Sequence, residues 1–140
     1  MKRKSIGILA TVAFLLSISV LSTYAQTTAK AAVPFAFRVG HTEMPAGTYV
    51  ISSVSPSVIA IRDADTGKVV MSLVRAERAG GSDDLPKLVF SKYGSRYFLS
   101  QVSRGYGSDV MQLPTSKLER EFQIANAGSV TEQKTIVAKK

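Results

Sequence analysis

Residues 86–102 read PKLVFSKYGSRYFLSQV, and this segment carries the clearest structural signal in the chain. Two runs rich in aromatic, β-branched and other apolar residues flank Gly94-Ser95. Glycine at the first central position of a two-residue loop is typical of a type II′ hairpin turn. Such a turn sets the register, since a slip by one residue would send every side chain to the opposite face. The predicted cross-strand pairs are Tyr93 with Arg96, Ser91 with Phe98, Phe90 with Leu99 and Val89 with Ser100.

The two faces of this hairpin differ in character. One face is apolar and is expected to belong to the core; it carries Leu88, Phe90, Tyr97 and Leu99. The other face mixes apolar and polar side chains, namely Tyr93, Phe98 and Val102 with Lys87, Ser91 and Arg96. We therefore expect one fully buried face and one that needs a further element to cover its apolar residues.

Strand patterns also precede this hairpin. Residues 33–39 alternate strictly between apolar and other side chains, and Pro34 places the start of that strand at a sheet edge. Residues 48–54, 58–62 and 69–74 are rich in β-branched residues. Turn sequences lie before the first of these runs at 44–47 (MPAG) and between the last two at 63–67 (DADTG). The sequence predicts a mostly β domain, a small antiparallel barrel or sandwich of six to eight strands.

A single helix is predicted near residues 116–127. Ser116 precedes Glu119 by three residues, which is the spacing of a capping box. Leu118, Phe122 and Ala125 recur at helical spacing and Gly128 can end the helix. We expect this C-terminal helix to close one end of the β domain and to cover Phe98 and Val102.

The two ends of the chain have a different composition from its middle. Residues 1–25 combine a basic start, an apolar run and small residues at a cleavage site, which predicts a secretory signal peptide; a retained membrane anchor is the alternative. Residues 26–32 are expected to be a flexible lead-in, residues 33–128 a single domain, and residues 129–140 a polar tail. The protein is expected to be exported, to the periplasm or beyond the cell.

Composition excludes several chemistries. The 140 residues contain no Cys, which rules out disulfides, thiol nucleophiles and Cys-ligated metals. The only imidazole, His41, is expected to be a solvated turn residue. Asp63, Asp65 and Gly67 imitate the start of a calcium loop, but Lys68 and Val74 stand where that loop needs glycine and a carboxylate. We predict an ordinary turn there, and neither metal nor cofactor.

One catalytic alternative uses the loop over residues 77–86. Glu77, Asp83 and Asp84 could supply a pair of carboxylates for acid/base cleavage of a glycosidic bond. Neighbouring aspartates on a Gly-Gly-Ser loop are more often solubilising, so we predict that the protein is not an enzyme and keep a hydrolase as the less favoured alternative.

Basic and aromatic residues interleave on the hairpin and just beyond it. The candidate ligand-binding residues are Lys92, Tyr93, Arg96, Phe98, Arg104 and Tyr106, with Tyr97 among them. Aromatic faces flanked by cations stack on rings while the cations meet acidic groups. An exported protein meets anionic envelope glycans before nucleic acid, so an anionic polysaccharide or an envelope protein is the predicted partner. The alternative interpretation, which the expected position of the helix favours, is that Phe98 and Val102 lie beneath the helix with Tyr93 and Arg96 at its rim.

The predicted function is therefore a non-enzymatic secreted or periplasmic binding or structural module, with no nucleic-acid partner and no membrane span after signal cleavage. A structural alternative is self-association. Residues 69–74 are apolar, uncharged and β-prone, and at a sheet edge they could add strand to strand to form a homo-oligomer.

Three stretches of the chain resemble a family of small exported proteins from acidobacterial-type soil bacteria. They are VPFAFRVG with MPAGTY at residues 33–49, the hairpin at 86–102, and LPTSKLERE at 113–121. The resemblance implies an export signal and a compact β domain. It implies no activity, ligand or catalytic residue, so the functional interpretation depends on the residues themselves.

Overall fold

The computed structural model describes residues 28–78, 85–105, 107–126 and 132–139. These residues form eleven strands and one helix. The strands are β1 (Thr28–Val33), β2 (Phe37–Val39), β3 (Thr42–Met44), β4 (Gly47–Ser55), β5 (Val58–Asp63), β6 (Val69–Leu73), β7 (Arg75–Glu77), β8 (Lys87–Tyr93), β9 (Arg96–Ser103), β10 (Val110–Gln112) and β11 (Glu132–Val137), and the helix α1 is Lys117–Ala125.

The strands form two sheets that face each other as a sandwich. The first sheet has the order β1-β4-β5-β6, and the second has the order β11-β8-β9-β10-β7. In the second sheet β2 also pairs in parallel with β9 and antiparallel with β3. The mostly β fold with one C-terminal helix is confirmed as a sandwich, and the sheets do not close into a barrel. The described strands outnumber the predicted six to eight because short strands extend the second sheet.

The core lies between the sheets and is built from alternate residues of their inner faces. Tyr49, Ile51, Ile59 and Ile61 come from the first sheet, and Phe37, Met44, Leu88, Phe90, Leu99 and Val102 from the second, all 3% exposed or less. The ring of Phe37 meets the rings of Tyr49 and Phe90 edge to face, with centroids 5.0 and 5.1 Å away. Aromatic contacts thus join the two sheets at the centre of the sandwich.

The hairpin over residues 86–102 has the predicted register near its turn. Tyr93 faces Arg96, Ser91 faces Phe98 and Phe90 faces Leu99, and Gly94 has the positive φ of +60° that the turn requires. Farther from the turn, a bulge makes Val89 face Gln101, so the predicted pairing with Ser100 is wrong. The extra residue sends Val102 to the core face, where it is fully buried, and not to the face under the helix as predicted.

The predicted flexible lead-in over residues 26–32 is wrong from Thr28 onward, because β1 begins there and pairs with β4. The inward side chains Ala29, Ala31 and Val33 are each at most 4% exposed. The predicted single strand over residues 33–39 is two strands in different sheets. Pro34, which cannot donate to a ladder, lies where the chain leaves the first sheet for the second.

The C-terminal segment is also more ordered than predicted. Residues of the expected polar tail form β11, which pairs with β8 along its whole length. Lys139 then exchanges two backbone hydrogen bonds with Lys30 of β1, each 2.7 Å long, so the segment connects both sheets. Pairing with an otherwise free edge explains a strand whose side chains are mostly polar.

The helix starts as predicted, with Ser116 as its N-cap accepting a hydrogen bond from the N–H of Glu119 at 3.0 Å. Phe122 packs on Phe98, with ring centroids 5.9 Å apart, whereas Ala125 is exposed and does not contribute to the packing face. The helix ends at an Asn126 cap. The predicted terminator Gly128 lies outside the described residues, as does the predicted signal peptide. Of the described helices, none has the length and apolar character needed to span a membrane.

Candidate anion-binding cleft

The structure places two predicted ligand-binding aromatics out of reach of a ligand. Tyr93 is 4% exposed and Phe98 is 1% exposed, because the helix covers this face of the hairpin. The hydroxyl of Tyr93 donates to Glu119 Oε1 at 3.3 Å, and its ring meets Phe98 edge to face. The alternative interpretation of Phe98 as a residue buried beneath the helix is confirmed.

Burial also explains the acid–base properties of this contact. Desolvation raises the pKa of the Glu119 carboxyl, and hydrogen bonds from the Tyr93 hydroxyl and the Ser116 N–H offset part of that increase. Desolvation, followed by the Glu119 charge, raises the pKa of Tyr93. The pair is a structural contact between helix and sheet.

The remaining predicted residues do not form one surface. Lys92 and Tyr97 lie on the opposite face of the hairpin from Arg96, where the Lys92 ammonium is 5.4 Å from the Tyr97 ring centre and 3.4 Å from Glu132 Oε2. Tyr97, followed by Glu132, raises the pKa of Lys92. The Tyr97 ring is itself stacked on Phe35 at 4.0 Å. These groups are already engaged with each other.

Arg104 follows the far end of β9, roughly 25 Å from Arg96 at about 3.3 Å per strand residue. It is partly buried, and its Nε lacks a hydrogen-bond partner. Tyr106 lies outside the described residues. Of the predicted set, Arg96 and Tyr97 line a solvent-open cleft together with residues of the β2–β3 hairpin.

Arg96 lines a cleft of about 310 Å³ at the junction of β2 with β9 in the second sheet. The lining residues are Ala36, Phe37, Arg38, Glu43, Ser95, Arg96 and Tyr97. They come from the β2–β3 hairpin on one side and from the turn between β8 and β9 on the other. Because β2 runs parallel to β9, with Arg38 beside Phe98, the two arginines approach this cleft from neighbouring strands.

Arg38 is held by three features of its own hairpin. Its Nη2 is 2.7 Å from Glu43 Oε2, and Arg38 and Glu43 are directly opposite each other in the register. Its Nη1 donates to the His41 carbonyl oxygen at 3.2 Å, and Gly40 turns the chain between them with φ of +60°. The Arg38 side chain, 18% exposed, is therefore held in one position among the residues that line the cleft.

The Nε of Arg38 is buried without a hydrogen-bond partner. A buried, unpaired donor on a cation leaves part of its positive charge uncompensated. The cleft carries two guanidinium groups and one carboxylate, that of Glu43, so its local charge favours an anion.

Arg96 is oriented by the helix. Its guanidinium carbon is 5.4 Å from the centre of the Phe122 ring. A cation over an aromatic face is held in place while keeping hydrogen-bond donors free at its edge. While it contacts Phe122, Arg96 can thus also donate hydrogen bonds to a carboxylate or another acidic group in the cleft.

Arg38 was not among the ligand-binding residues predicted from the sequence. The one available signal was a lone arginine among small outward residues, Pro34 and Ala36. The proximity of Arg38 to Arg96 depends on the parallel pairing of β2 with β9, which joins segments far apart in the chain.

A second cleft, of about 470 Å³, lies where β6, β7 and β10 meet. Its lining is mainly apolar, with Arg75 as the charged member, and includes Leu73, Val74, Gln112, Leu113, Pro114 and Thr115. With one cation and a weaker polar character, it is a poorer site for an anion.

The predicted turn residues lie where expected. His41 is exposed in the β2–β3 turn. Asp63 Oδ1 accepts hydrogen bonds from the N–H groups of Asp65 at 2.8 Å and Thr66 at 3.1 Å, which confirms a turn closed by its own side chain. The Thr66 N–H, followed by that of Asp65, lowers the pKa of Asp63.

The residues of the hydrolase alternative are only partly described. Glu77 is exposed on β7, while Asp83 and Asp84 lie outside the described residues. Across the described ranges, no cluster of three or more His, Cys, Asp or Glu residues could hold a metal ion.

Comparisons with protein-family models, with curated proteins and with solved structures found no match to this chain.

Proposed function

We propose that this protein is a non-enzymatic binding module that holds the carboxylate of an acidic saccharide in the cleft between Arg38 and Arg96. The observation that carries the proposal is the presence of two guanidinium groups and a single carboxylate around one small cleft. A guanidinium matches a carboxylate with two parallel hydrogen bonds, which are charge-assisted and stronger than neutral ones.

The size of the cleft favours a small acidic group over a large apolar ligand. A volume of about 310 Å³ is at the lower end of ligand pockets, which span about 300–1,000 Å³. The lining is mainly polar and the cleft is open to solvent, so one unit of a polymer can enter while the rest of the chain continues outside.

Charge elsewhere supports a polyanionic partner. The chain has 18 basic and 10 acidic residues, and without residues 1–25 it has 15 and 10. A positive net charge raises the local concentration of a polyanion and makes association sensitive to salt. Export, as the first 25 residues predict, would bring the module to the acidic polysaccharides of the cell envelope.

The first test is binding of the purified protein to polygalacturonate, with neutral dextran as a control polymer, at low and moderate salt. We expect binding to polygalacturonate alone, weakened by salt. Arg96→Gln is expected to weaken it about tenfold or more, since a hydrogen bond to a charged group contributes about 1.5–3 kcal/mol.

Arg62→Gln is the matched control variant. Arg62 is exposed on β5 of the other sheet, so its removal lowers the net charge equally without touching the cleft. Equal losses in the two variants would contradict the cleft and leave only a non-specific charge effect. Binding to neither polymer would contradict the acidic saccharide and favour a protein partner.

A further inference from the structure

The strand β6 is an edge of the first sheet. It pairs with β5 on one side, and among the described residues no strand pairs with its other side. The opposite edge of the same sheet is partly covered, because β1 bonds to the C-terminal segment through Lys30 and Lys139. The first sheet thus has one edge that is secured and one that is open.

The backbone of β6 shows which groups the open edge presents. Asp63 N–H donates to the Lys68 carbonyl at 2.9 Å, and Val74 N–H donates to the Ser57 carbonyl at 2.8 Å, so these are hydrogen-bonded pairs of the β5–β6 ladder. In an antiparallel ladder such pairs alternate with pairs whose backbone groups point outward. The register therefore directs the N–H and C=O groups of Val69, Met71 and Leu73 away from β5.

The same three residues have exposed apolar side chains. Val69 is 48% exposed, Met71 is 65% exposed and Leu73 is 67% exposed. β6 reads VVMSL and contains no charged residue, no proline and no bulge. Edge strands normally carry one of these features to prevent pairing with another chain.

We propose that β6 pairs antiparallel with β6 of a second copy, about a two-fold axis through Met71. In this register Met71 faces Met71 of the second copy, and Val69 faces Leu73. Each facing pair consists of residues whose N–H and C=O groups both point outward, so every pair exchanges two backbone hydrogen bonds. The two apolar rows become one, and the two four-stranded sheets become a continuous sheet.

Charges at the ends of the strand favour a second copy as the occupant. The exposed Asp65 lies just before β6 and the exposed Arg75 just after it. Antiparallel pairing brings the beginning of one strand to the end of the other, and hence the acidic turn of each copy toward Arg75 of its neighbour. Lys68, which also precedes the strand, directs its ammonium to the Glu43 carbonyl oxygen at 3.4 Å.

The test is the oligomeric state of the purified protein, measured by sedimentation equilibrium over a wide concentration range. We expect a monomer–dimer equilibrium for the natural sequence. Met71→Lys, which places two ammonium groups at the axis, is expected to raise the dimer Kd at least tenfold. Val54→Lys is the control, since Val54 is 53% exposed at a bulge in β4, away from the edge. It is expected to leave the dimer intact.

Amide hydrogen exchange tests the same pairing without a substitution. The N–H groups of Val69, Met71 and Leu73 are expected to gain protection as protein concentration rises, whereas those of Val70 and Ser72 are protected at every concentration. A monomer at all concentrations, or equal dissociation by Val54→Lys, would overturn the proposal. So would protection at Met71 that does not depend on concentration.

Discussion

At Arg38, the three nitrogens of one guanidinium are in three different environments. One binds Glu43, one binds the His41 carbonyl, and the third is buried without a partner. A lysine at this position could not reproduce that arrangement, because an ammonium is a compact charge without the planar fork. The geometry fixes this positive charge in the lining of the cleft before any ligand arrives, which lowers the ordering cost of binding.

Glu119 provides a test at the scale of a single carboxyl. Its pKa is raised in the folded protein, mainly by desolvation, so its ionisation opposes folding. The free energy of unfolding should therefore decrease as pH rises from 4.5, the ordinary value of this carboxyl, through the raised folded pKa. Glu119→Gln keeps an oxygen that can accept from Tyr93 but removes the charge. Urea unfolding gives the free energy of unfolding of the variant minus that of the natural protein. We expect this difference to be more favourable to the variant at pH 7 than at pH 4.

Comparing the natural protein with Glu119→Gln at each pH cancels the effect of the other titrating groups on the free energy of unfolding. Asp63, whose lowered pKa stabilises the fold above its unfolded value and ceases to do so in acid, is present in both forms. A difference in unfolding free energy that is the same at pH 4 and pH 7 would contradict desolvation of Glu119.

At the scale of elements, the helix has two roles: it covers Tyr93 and Phe98, and it positions Arg96 through Phe122. Its attachment begins at the Ser116 cap, which satisfies an N–H that the helix itself cannot pair. Ser116→Ala is expected to cost about 1 kcal/mol of unfolding free energy, whereas Ser116→Asp, which can still accept that hydrogen bond, should cost much less. Urea unfolding of the two variants checks this; equal losses would show that the cap is not responsible.

Element boundaries could be predicted from sequence where the determining chemistry is local. The Gly94 turn, the Asp63 turn and the Ser116 cap each depend on neighbouring residues, and all three are confirmed. The passage of the chain from the first sheet to the second at Pro34 could not be predicted from the alternation of apolar residues. Inward-facing residues recur at every second position both in one continuous strand and in two successive strands of facing sheets.

Five of the described strands were missed: β3, β7 and β10 are only three residues long, and the longer β1 and β11 carry weak local signals. β1 presents alanines to the core, and β11 opens with the polar residues Glu132, Gln133 and Lys134, so neither shows the regular alternation of apolar and polar residues that signals a half-buried strand. What stabilises them is pairing with β4 and β8, which is a tertiary property. Only one of the two arginines of the cleft was predicted, for the same reason. Arg96 belongs to a local hairpin, whereas Arg38 comes close to Arg96 through the β2–β9 pairing, which joins distant segments of the chain.

At the scale of the whole molecule, the C-terminal segment secures one side of the sandwich. Ala138 is 4% exposed and its N–H donates to the Pro86 carbonyl at 2.8 Å, next to the bridge between Lys30 and Lys139. Removing residues 132–140 would leave the edge of β8 without its partner strand and remove the backbone hydrogen bonds that connect the two sheets. We expect this deletion to lower the free energy of unfolding by more than about 2 kcal/mol, from lost backbone hydrogen bonds and apolar burial.

The control for that deletion is Lys134→Ser, which changes an exposed side chain of β11 but keeps its backbone ladder. Its stability should be close to that of the natural protein. A truncated protein as stable as the complete chain, by urea unfolding, would contradict the role assigned to the segment.

Binding of an acidic saccharide between Arg38 and Arg96 is the proposal on which the functional interpretation depends. The most direct measurement is a titration of the ¹⁵N-labelled protein with short galacturonate oligomers, followed through backbone amide and arginine Nε–H signals. We predict shifts concentrated at Arg38, Ser95 and Arg96, with small changes on the outer face of the first sheet. Shifts concentrated around Arg62, spread evenly over basic residues, or absent at saturating ligand would contradict the proposal.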